Sequence, residues 1–276
     1  TFLWVSENYS EEPVRIIRNM RTKGAAGARN TGILAANSDY VALLDSDDTY
    51  LPEHLHRCAQ TFLSHPELGV VFGSARYEKN GQAVDYMKPN FERKLARAPV
   101  KYEDEQLLIF DNTYFSHLLI EGCYFNLSTV VLRAEVAQAL MCEELRIAED
   151  YEFWVRLSRK HLFACLKQPC ICYHLHDQNI SFELNHTVAD HAPALLRAYE
   201  IMLDYSHLAP SDIQIIHKHI SEVLFSWAWR CRQHRMLQQS VRLHLQSLRH
   251  GLWIKNLLAI FKLAVFALLQ VVSLSK

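Results

Sequence analysis

The chain has 276 residues, half of them hydrophobic, and a net charge of −1. That length holds one large domain, or one domain with an appendage, around a sizeable core; the near-neutral balance excludes the basic field of a nucleic-acid-binding protein. The seven cysteines fall at no framework spacing, and Cys170 and Cys172 lack the second pair a zinc site needs, so reduced thiols in a reducing compartment are expected.

The chain opens on a helix-like "TFLWVSENYS" with neither an initiator Met nor a leading strand, which reads as the start of a fragment. "VRIIRNM" (14–20) is short and β-rich, and "KGAAGARNTGILAANS" is a loop entering a small-residue helix. "YVALL" (40–44) is too short for a helix and reads as a buried strand. Pro52 opens the helical "PEHLHRCAQTFLSH" at a position where a first turn tolerates it. "GVVFGSARYE" and "QAVDYM" flank Asn80-Gly81, a hairpin signal. This rhythm predicts an α/β fold with a mostly parallel sheet and flanking helices. Residues 103–122 read as a helix, "STVVLR" (128–133) as a strand and "EDYEFWVRLSRK" (149–160) as an amphipathic helix. "LFACLK" and "ICYHLH" are strand-like. After about residue 186 strand signals stop. We therefore expect an α/β domain over 1–185 and a C-terminal all-helical appendage over 186–276. The last segment, Leu252–Leu274, is almost wholly apolar, with Lys255, Lys262 and Gln270 on one narrow stripe. Two lysines make a spanning helix costly. An interfacial helix lying on a membrane and a helix packed in the core both fit.

The chemistry concentrates where "YVALL" ends, in "DSDD": Asp45, Asp47 and Asp48 within four residues. Two like charges about 4 Å apart repel by about 4 kcal/mol at an effective dielectric near 20. Capping of the next helix by Asp48 or Thr49 explains one carboxylate at most. An EF-hand loop beginning at Asp45 would need Gly at residue 50 and Glu at residue 56, where the chain has Tyr50 and His56. A D-x-D at a strand end can instead hold one divalent cation with positions left open for phosphates. Strand ends are also where α/β sheets bind ligands. "KGAAGARNTG" is neither a P-loop nor a G-x-G-x-x-G. Arg29 falls in the first turn of the helix predicted there, where the helix dipole disfavours a cation, so an anionic or planar partner is expected.

Together, "KGAAGARNTGILAANSDYVALLDSDDTYLPEHL", "STVVLR", "AEDYEFWVRL" and "YHLHDQNIS" resemble, in order, the motifs of family 2 glycosyltransferases. The resemblance covers roughly residues 12–182. It implies the GT-A fold, an inverting transfer of a sugar from a nucleotide-sugar donor to a hydroxyl of a glycan or lipid-linked acceptor, and dependence on Mg²⁺ or Mn²⁺. Carried over by position, it puts Arg29 at the nucleotide and Asp45 at the donor's ribose or diphosphate. Asp47 becomes the metal ligand and Asp150 the general base, with Glu149 in support and His176 near the diphosphate. It further implies cell-surface polysaccharide or glycolipid synthesis in the cytoplasm, with peripheral contact at the cytoplasmic face of a membrane through residues 252–274. The family's opening strand ending near P-x-Y-N, and its next strand with an Asp for the nucleobase, have no counterpart here: residues 1–38 contain no Asp. The nucleotide pocket of this chain is therefore expected to be incomplete. Two rivals make different predictions. A nucleotidyltransferase would not need the E-D helix, and a non-catalytic glycan- or partner-binding module of the same fold would not hydrolyse donor.

Overall fold

The computed structural model describes residues 14–176, 189–251 and 254–262. The chain resolves into two compact units. The first comprises residues up to Tyr77, Asp85–Tyr114 and Tyr124–Tyr173; the second comprises Glu78–Val84, Phe115–Cys123 and the chain from His174 onward.

The first unit begins with α1 (Ala25–Ala35), β1 (Tyr40–Ala42), β2 (Asp48–Tyr50) and α2 (His54–Ser64). There follow in chain order β3 (Leu68–Lys79), β4 (Gln82–Ala83), α3 (Lys88–Leu95), β5 (Val100–Glu103), β6 (Leu107–Phe110) and α4 (Tyr114–Glu121), of which β4 and, past Tyr114, α4 belong to the second unit. A 3₁₀ turn (Leu127–Thr129) leads into β7 (Val131–Arg133), α5 (Ala134–Ala137), α6 (Glu149–Ser158) and β8 (Leu162–Leu175). The path through the sheet is β1-β7-β3-β8-β6-β5, with β2 on β8 and β4 on β3. This is the α/β class with flanking helices that the sequence predicts. The assigned registers, β1–β7, β3–β7, β2–β8, β3–β4, β5–β6 and β6–β8, are antiparallel. β1 and β3 nevertheless point the same way, because each runs antiparallel to β7 between them. The crossover through α2 thus keeps the direction of a parallel unit, and β7 is inserted into its middle.

Alternation along the strands builds two cores. Val71, Ile109 and Ala164 face Cys58 and Phe62 of α2. Their neighbours Phe72, Phe110 and Phe163 join an aromatic layer with Tyr114, Phe125 and Trp154; Phe72 stacks on Phe125 with ring centroids 3.9 Å apart. Each such ring removed from water contributes roughly 1.5–3 kcal/mol. "LFACLK" and "ICYHLH" are one strand. Pairing of β8 with β6 ends at Leu166 and with β2 begins at Ile171. Pro169, which has no N–H to give a ladder, lies between.

Several expectations are corrected. Residues 14–20 form no strand; they are mostly exposed and pair with nothing in the sheet. Residues 103–122 are a hairpin end and a short helix rather than one helix. The Asp104 carboxylate accepts from the N–H groups of Gln106 and Leu107, at 2.7 and 2.8 Å, and turns the chain from β5 into β6. Pro52 precedes α2 by two residues and is not in its first turn. α6 is buried nearly all round, including Tyr151, Glu152, Phe153, Trp154, Val155 and Leu157, so the polar side of its amphipathic pattern is enclosed as well. The Asn80-Gly81 hairpin forms as read, with positive φ at both residues (53° and 75°).

In the second unit, α7 (Ala192–Leu203), α8 (Pro210–Gln233) and α9 (Leu237–Leu248) follow β8. α8 and α9 are joined through buried polar groups. The hydroxyls of Ser221 and Ser247 lie 2.8 Å apart, and Asn256 donates to Ser247 while pairing with His244. Residues 254–262 are helical, and no described helix is long and apolar enough to cross a membrane. Residues 263–274 of the apolar C-terminal segment lie outside the described residues.

Candidate active site

Four stretches of the first unit converge. The earliest is α1, which starts where Gly24 adopts φ 144°. Gly27 packs so closely on the preceding turn that a Cβ there would lie 2.0 Å from the Thr22 carbonyl oxygen. The helix begins at Ala25, so Arg29 sits in its second turn, not its first. Arg29 and Asn30 then work in different directions. Asn30 is 1% exposed. Its amide donates to the Met141 carbonyl (2.9 Å) and to Glu143 Oε1 (2.8 Å), and its carbonyl accepts from Met141 N (2.8 Å). Glu143 also accepts from Arg21 and from Thr22 N, and these donors, Asn30 first, hold its carboxyl down at about 2. The loop before α6 is thereby locked onto α1.

Arg29 has the anionic partners expected of it, although it does not lie in the first turn, where the helix dipole would call for them. Its guanidinium donates to Asp45 Oδ1 and to Glu149 Oε1, each at 2.8 Å. The Arg29 side chain is 19% exposed, Glu149 10% and Asp45 42%. Burial works against the charged guanidinium, yet Asp45 and Glu149 together raise its pKa above the ordinary value.

Asp45 lies past the end of β1, in the loop that ends at Asp48, the first residue of β2. Beneath this loop sits Ser128, 1% exposed in the 3₁₀ turn before β7. Its Oγ accepts from Asp45 N (3.0 Å) and donates to Asp48 Oδ2. Tyr50 adds a bond from its hydroxyl to the Leu43 carbonyl (2.8 Å). The loop is thus held at both ends, with Asp47 exposed at its apex.

The fourth stretch is the start of α6. Ala148 precedes the helix at φ 65°, a left-handed conformation that costs a residue with a Cβ about 1–2 kcal/mol. Glu149 and Asp150 occupy the first turn, where the helix dipole favours carboxylates. Asp150 Oδ1 accepts from Tyr151 N at 2.7 Å. Burial raises the Asp150 carboxyl, Asp45 adds to the rise, and the Tyr151 N–H and Arg29 oppose it. Burial and the Asp150 charge likewise raise Glu149.

The structure therefore brings Arg29, Asp45, Glu149 and Asp150 into one electrostatic network, with Asp47 on the same loop as Asp45. His176 lies just past β8, half-buried. Sequence reasoning missed two structural members. Asn30 stood inside the quoted A-R-N-x-G and Ser128 opened "STVVLR", but neither residue type announces burial.

Residues 5–120 match the family model "Glycosyl transferase family 2". Among curated relatives, the amylovoran biosynthesis glycosyltransferase AmsB of Erwinia amylovora is 29% identical over 174 residues, covering 62% of this chain and 53% of its own. The Escherichia coli UDP-Glc:alpha-D-GlcNAc-diphosphoundecaprenol beta-1,3-glucosyltransferase WfgD is 23% identical over 175 residues, covering 63% and 60%. The chain thus spans little more than half the length of these curated relatives. Among solved structures, S. aureus TarS 1–349 in complex with UDP-GlcNAc superposes with a TM-score of 0.60 at 15% identity, covering 90% of this chain and 68% of that one. Residues 5–120 are thus similar to family 2 glycosyl transferases, and the chain shares the GT-A-like fold of the solved structures.

Proposed function

We propose that this domain transfers a sugar from a nucleotide-sugar donor to a hydroxyl of a glycan or lipid-linked acceptor by a single, inverting displacement. The observation that carries the reading is the Arg29 bridge, which draws the strand-end carboxylate Asp45 and the helix-start pair Glu149–Asp150 into one site. Asp150 takes the acceptor proton as its oxygen attacks the anomeric carbon; burial tunes its carboxyl upward, toward the range a base needs. Glu149 is fixed by Arg29 and keeps Asp150 beside a second carboxylate. Arg29 retains N–H groups beyond the two it gives to carboxylates, and these meet the donor. Asp47 and Asp45 offer hard oxygen donors on an exposed loop with room for phosphate, a set that fits Mg²⁺ or Mn²⁺. An ion held there would supply positive charge for the leaving diphosphate.

The relatives named for amylovoran biosynthesis and for glucosyl transfer to a diphosphoundecaprenol-linked sugar support polysaccharide or glycolipid synthesis, which we place on the cytoplasmic side of a membrane as part of the proposal. Peripheral contact through residues 252–274 is supported by the exposure of Ile254 (76%), Leu257 (54%), Leu258 (56%) and Phe261 (67%). Buried Asn256 meanwhile anchors the same helix to His244 and Ser247.

Asp150→Asn tests the assignment. Asp150 lies inside the first turn, so Asn gives up the interaction of its charge with the helix dipole, about 0.3–1 kcal/mol, and melting stays within about 1 kcal/mol of wild type. Sugar transfer, read as diphosphate released from a nucleotide-sugar panel with Mn²⁺ and acceptor, falls at least about a hundredfold. Transfer within a few-fold of wild type rejects Asp150 as the base.

A further inference from the structure

We infer that Ser128 is a positioning residue for the metal-binding loop, a role that rests on the metal reading above. One hydroxyl, buried in a turn 80 and 83 residues away in sequence, bridges the carboxylate of Asp48 and the backbone of Asp45. The residues between those two anchors are Ser46 and Asp47 alone, so fixing the anchors fixes the arc on which Asp47 is carried.

The turn beneath is itself rigid. Leu127, Ser128 and Thr129 are all buried. Thr129 bonds through both its N–H (3.0 Å) and its hydroxyl (2.7 Å) to the Asn126 carbonyl. Leu43 N donates to the Val130 carbonyl at 3.1 Å, and β1 pairs with β7 immediately beyond. Ser128 therefore stands on a platform that moves only with the sheet. Its hydroxyl has one proton, given to Asp48, and its lone pairs serve the Asp45 amide, so donor and acceptor capacity are both used. Without the hydroxyl, Asp48 loses a charge-assisted bond and the Asp45 amide loses its acceptor. The carboxylates must then be ordered when the ion binds, which weakens binding.

The experiment titrates Mn²⁺ alone into the chain and follows the free-ion electron paramagnetic resonance signal. It compares wild type, Ser128→Ala, Ser128→Cys, Thr129→Val and Asp47→Ala, with hydrogen exchange of the Asp45 amide as a second readout. Ser128→Ala weakens Mn²⁺ binding about tenfold or more, the value of a hydrogen bond to a charged group, and speeds Asp45 amide exchange. Ser128→Cys keeps the shape with only a weak donor and falls between. Thr129→Val removes a bond of the turn itself but none to the carboxylate loop, so it lowers melting and leaves Mn²⁺ affinity unchanged. Equal weakening by Thr129→Val and Ser128→Ala makes Ser128 merely structural and overturns the inference. So does unchanged affinity in Ser128→Ala while wild type still binds better than Asp47→Ala, and the metal reading then survives. Wild type that binds Mn²⁺ no better than Asp47→Ala removes the metal reading and the inference with it.

Discussion

Replacing Asn30 tests the clamp that seats the loop before α6. In Asn30→Ala three bonds vanish: one to Glu143 Oε1 at 2.8 Å, and two to the backbone of Met141 at 2.9 and 2.8 Å. The site is 1% exposed, so the Met141 groups gain no water in exchange. Taking about 1 kcal/mol for each neutral bond and about 1.5–3 for the one to a carboxylate gives a loss of roughly 3–5 kcal/mol. Asn30→Asp separates charge from shape. It keeps the acceptor for Met141 N but turns both donations into lone-pair contacts, one with a carboxylate, so at neutral pH it loses at least as much as Ala. The new carboxyl, buried beside Glu143, has a folded pKa raised above its unfolded value near 4. Its deficit therefore shrinks as pH falls through that raised pKa, when the group becomes a donor again. Glu143 loses its Asn30 donor in this variant but keeps those of Arg21 and Thr22, which continue to favour its ionised form. The assay is urea unfolding followed by tryptophan fluorescence, to which buried Trp154 contributes, at pH 7 and pH 5. A loss under 1 kcal/mol for Asn30→Ala, or an Asn30→Asp deficit that grows at pH 5, refutes the clamp.

Further tests address other parts of the fold. His54 is buried against Tyr50, and burial, with Arg57 adding to it, lowers its pKa to about 4. Its folded pKa thus lies below the unfolded value near 6.5, so its contribution is present above pH 6.5 and is lost as pH falls toward 4. That loss is at most about 3 kcal/mol. In His54→Leu this segment of the stability–pH curve flattens, and a curve parallel to wild type between pH 6.5 and 4 rejects the assignment. Gly27→Ala drives a Cβ into the Thr22 carbonyl and destabilises by about 1–3 kcal/mol, whereas Gly32→Ala, with open space around it, stabilises by up to about 1 kcal/mol. Equal melting shifts for the two glycine variants contradict the packing. Leu257→Glu with Phe261→Glu abolishes flotation of the chain with anionic vesicles; unchanged flotation places membrane contact elsewhere.

The carboxylates of the site were legible because Asp45, Asp47 and Asp48 crowd the end of one short apolar run, where local sequence has no other use for them. Glu149 and Asp150 were legible because they open a helix. The bridge was not. That Arg29 faces Asp45 and Glu149 depends on tertiary placement across 16 and 120 residues, and spacing along the chain does not encode it. β5 and β6 were lost for a related reason: "LLIF" carries no period, and the Asp104 turn that separates the strands hid within a helix-like composition. The direction of the β1–α2–β3 crossover was visible in the alternation of strand and helix. The insertion of β7 between β1 and β3 was not, since a three-residue strand, two of its residues buried, serves equally well at an edge or a centre.

That insertion has a consequence for synthesis. When β3 has left the ribosome, the hydrogen-bonding edge that will take β7 is still open, and so is that of β1. The residues that close them come only after α3, the β5–β6 hairpin, α4 and the 3₁₀ turn. At bacterial or eukaryotic elongation rates the wait is about three to ten seconds. For that time the nascent chain presents a short strand and a long one pointing the same way, separated by a gap one strand wide, the geometry that invites a foreign strand. Nucleation of the first unit is therefore delayed until residues 131–133 emerge. Pauses in translation downstream of β3 lengthen the window for aggregation, and a chaperone that shields the β1 and β3 edges shortens it.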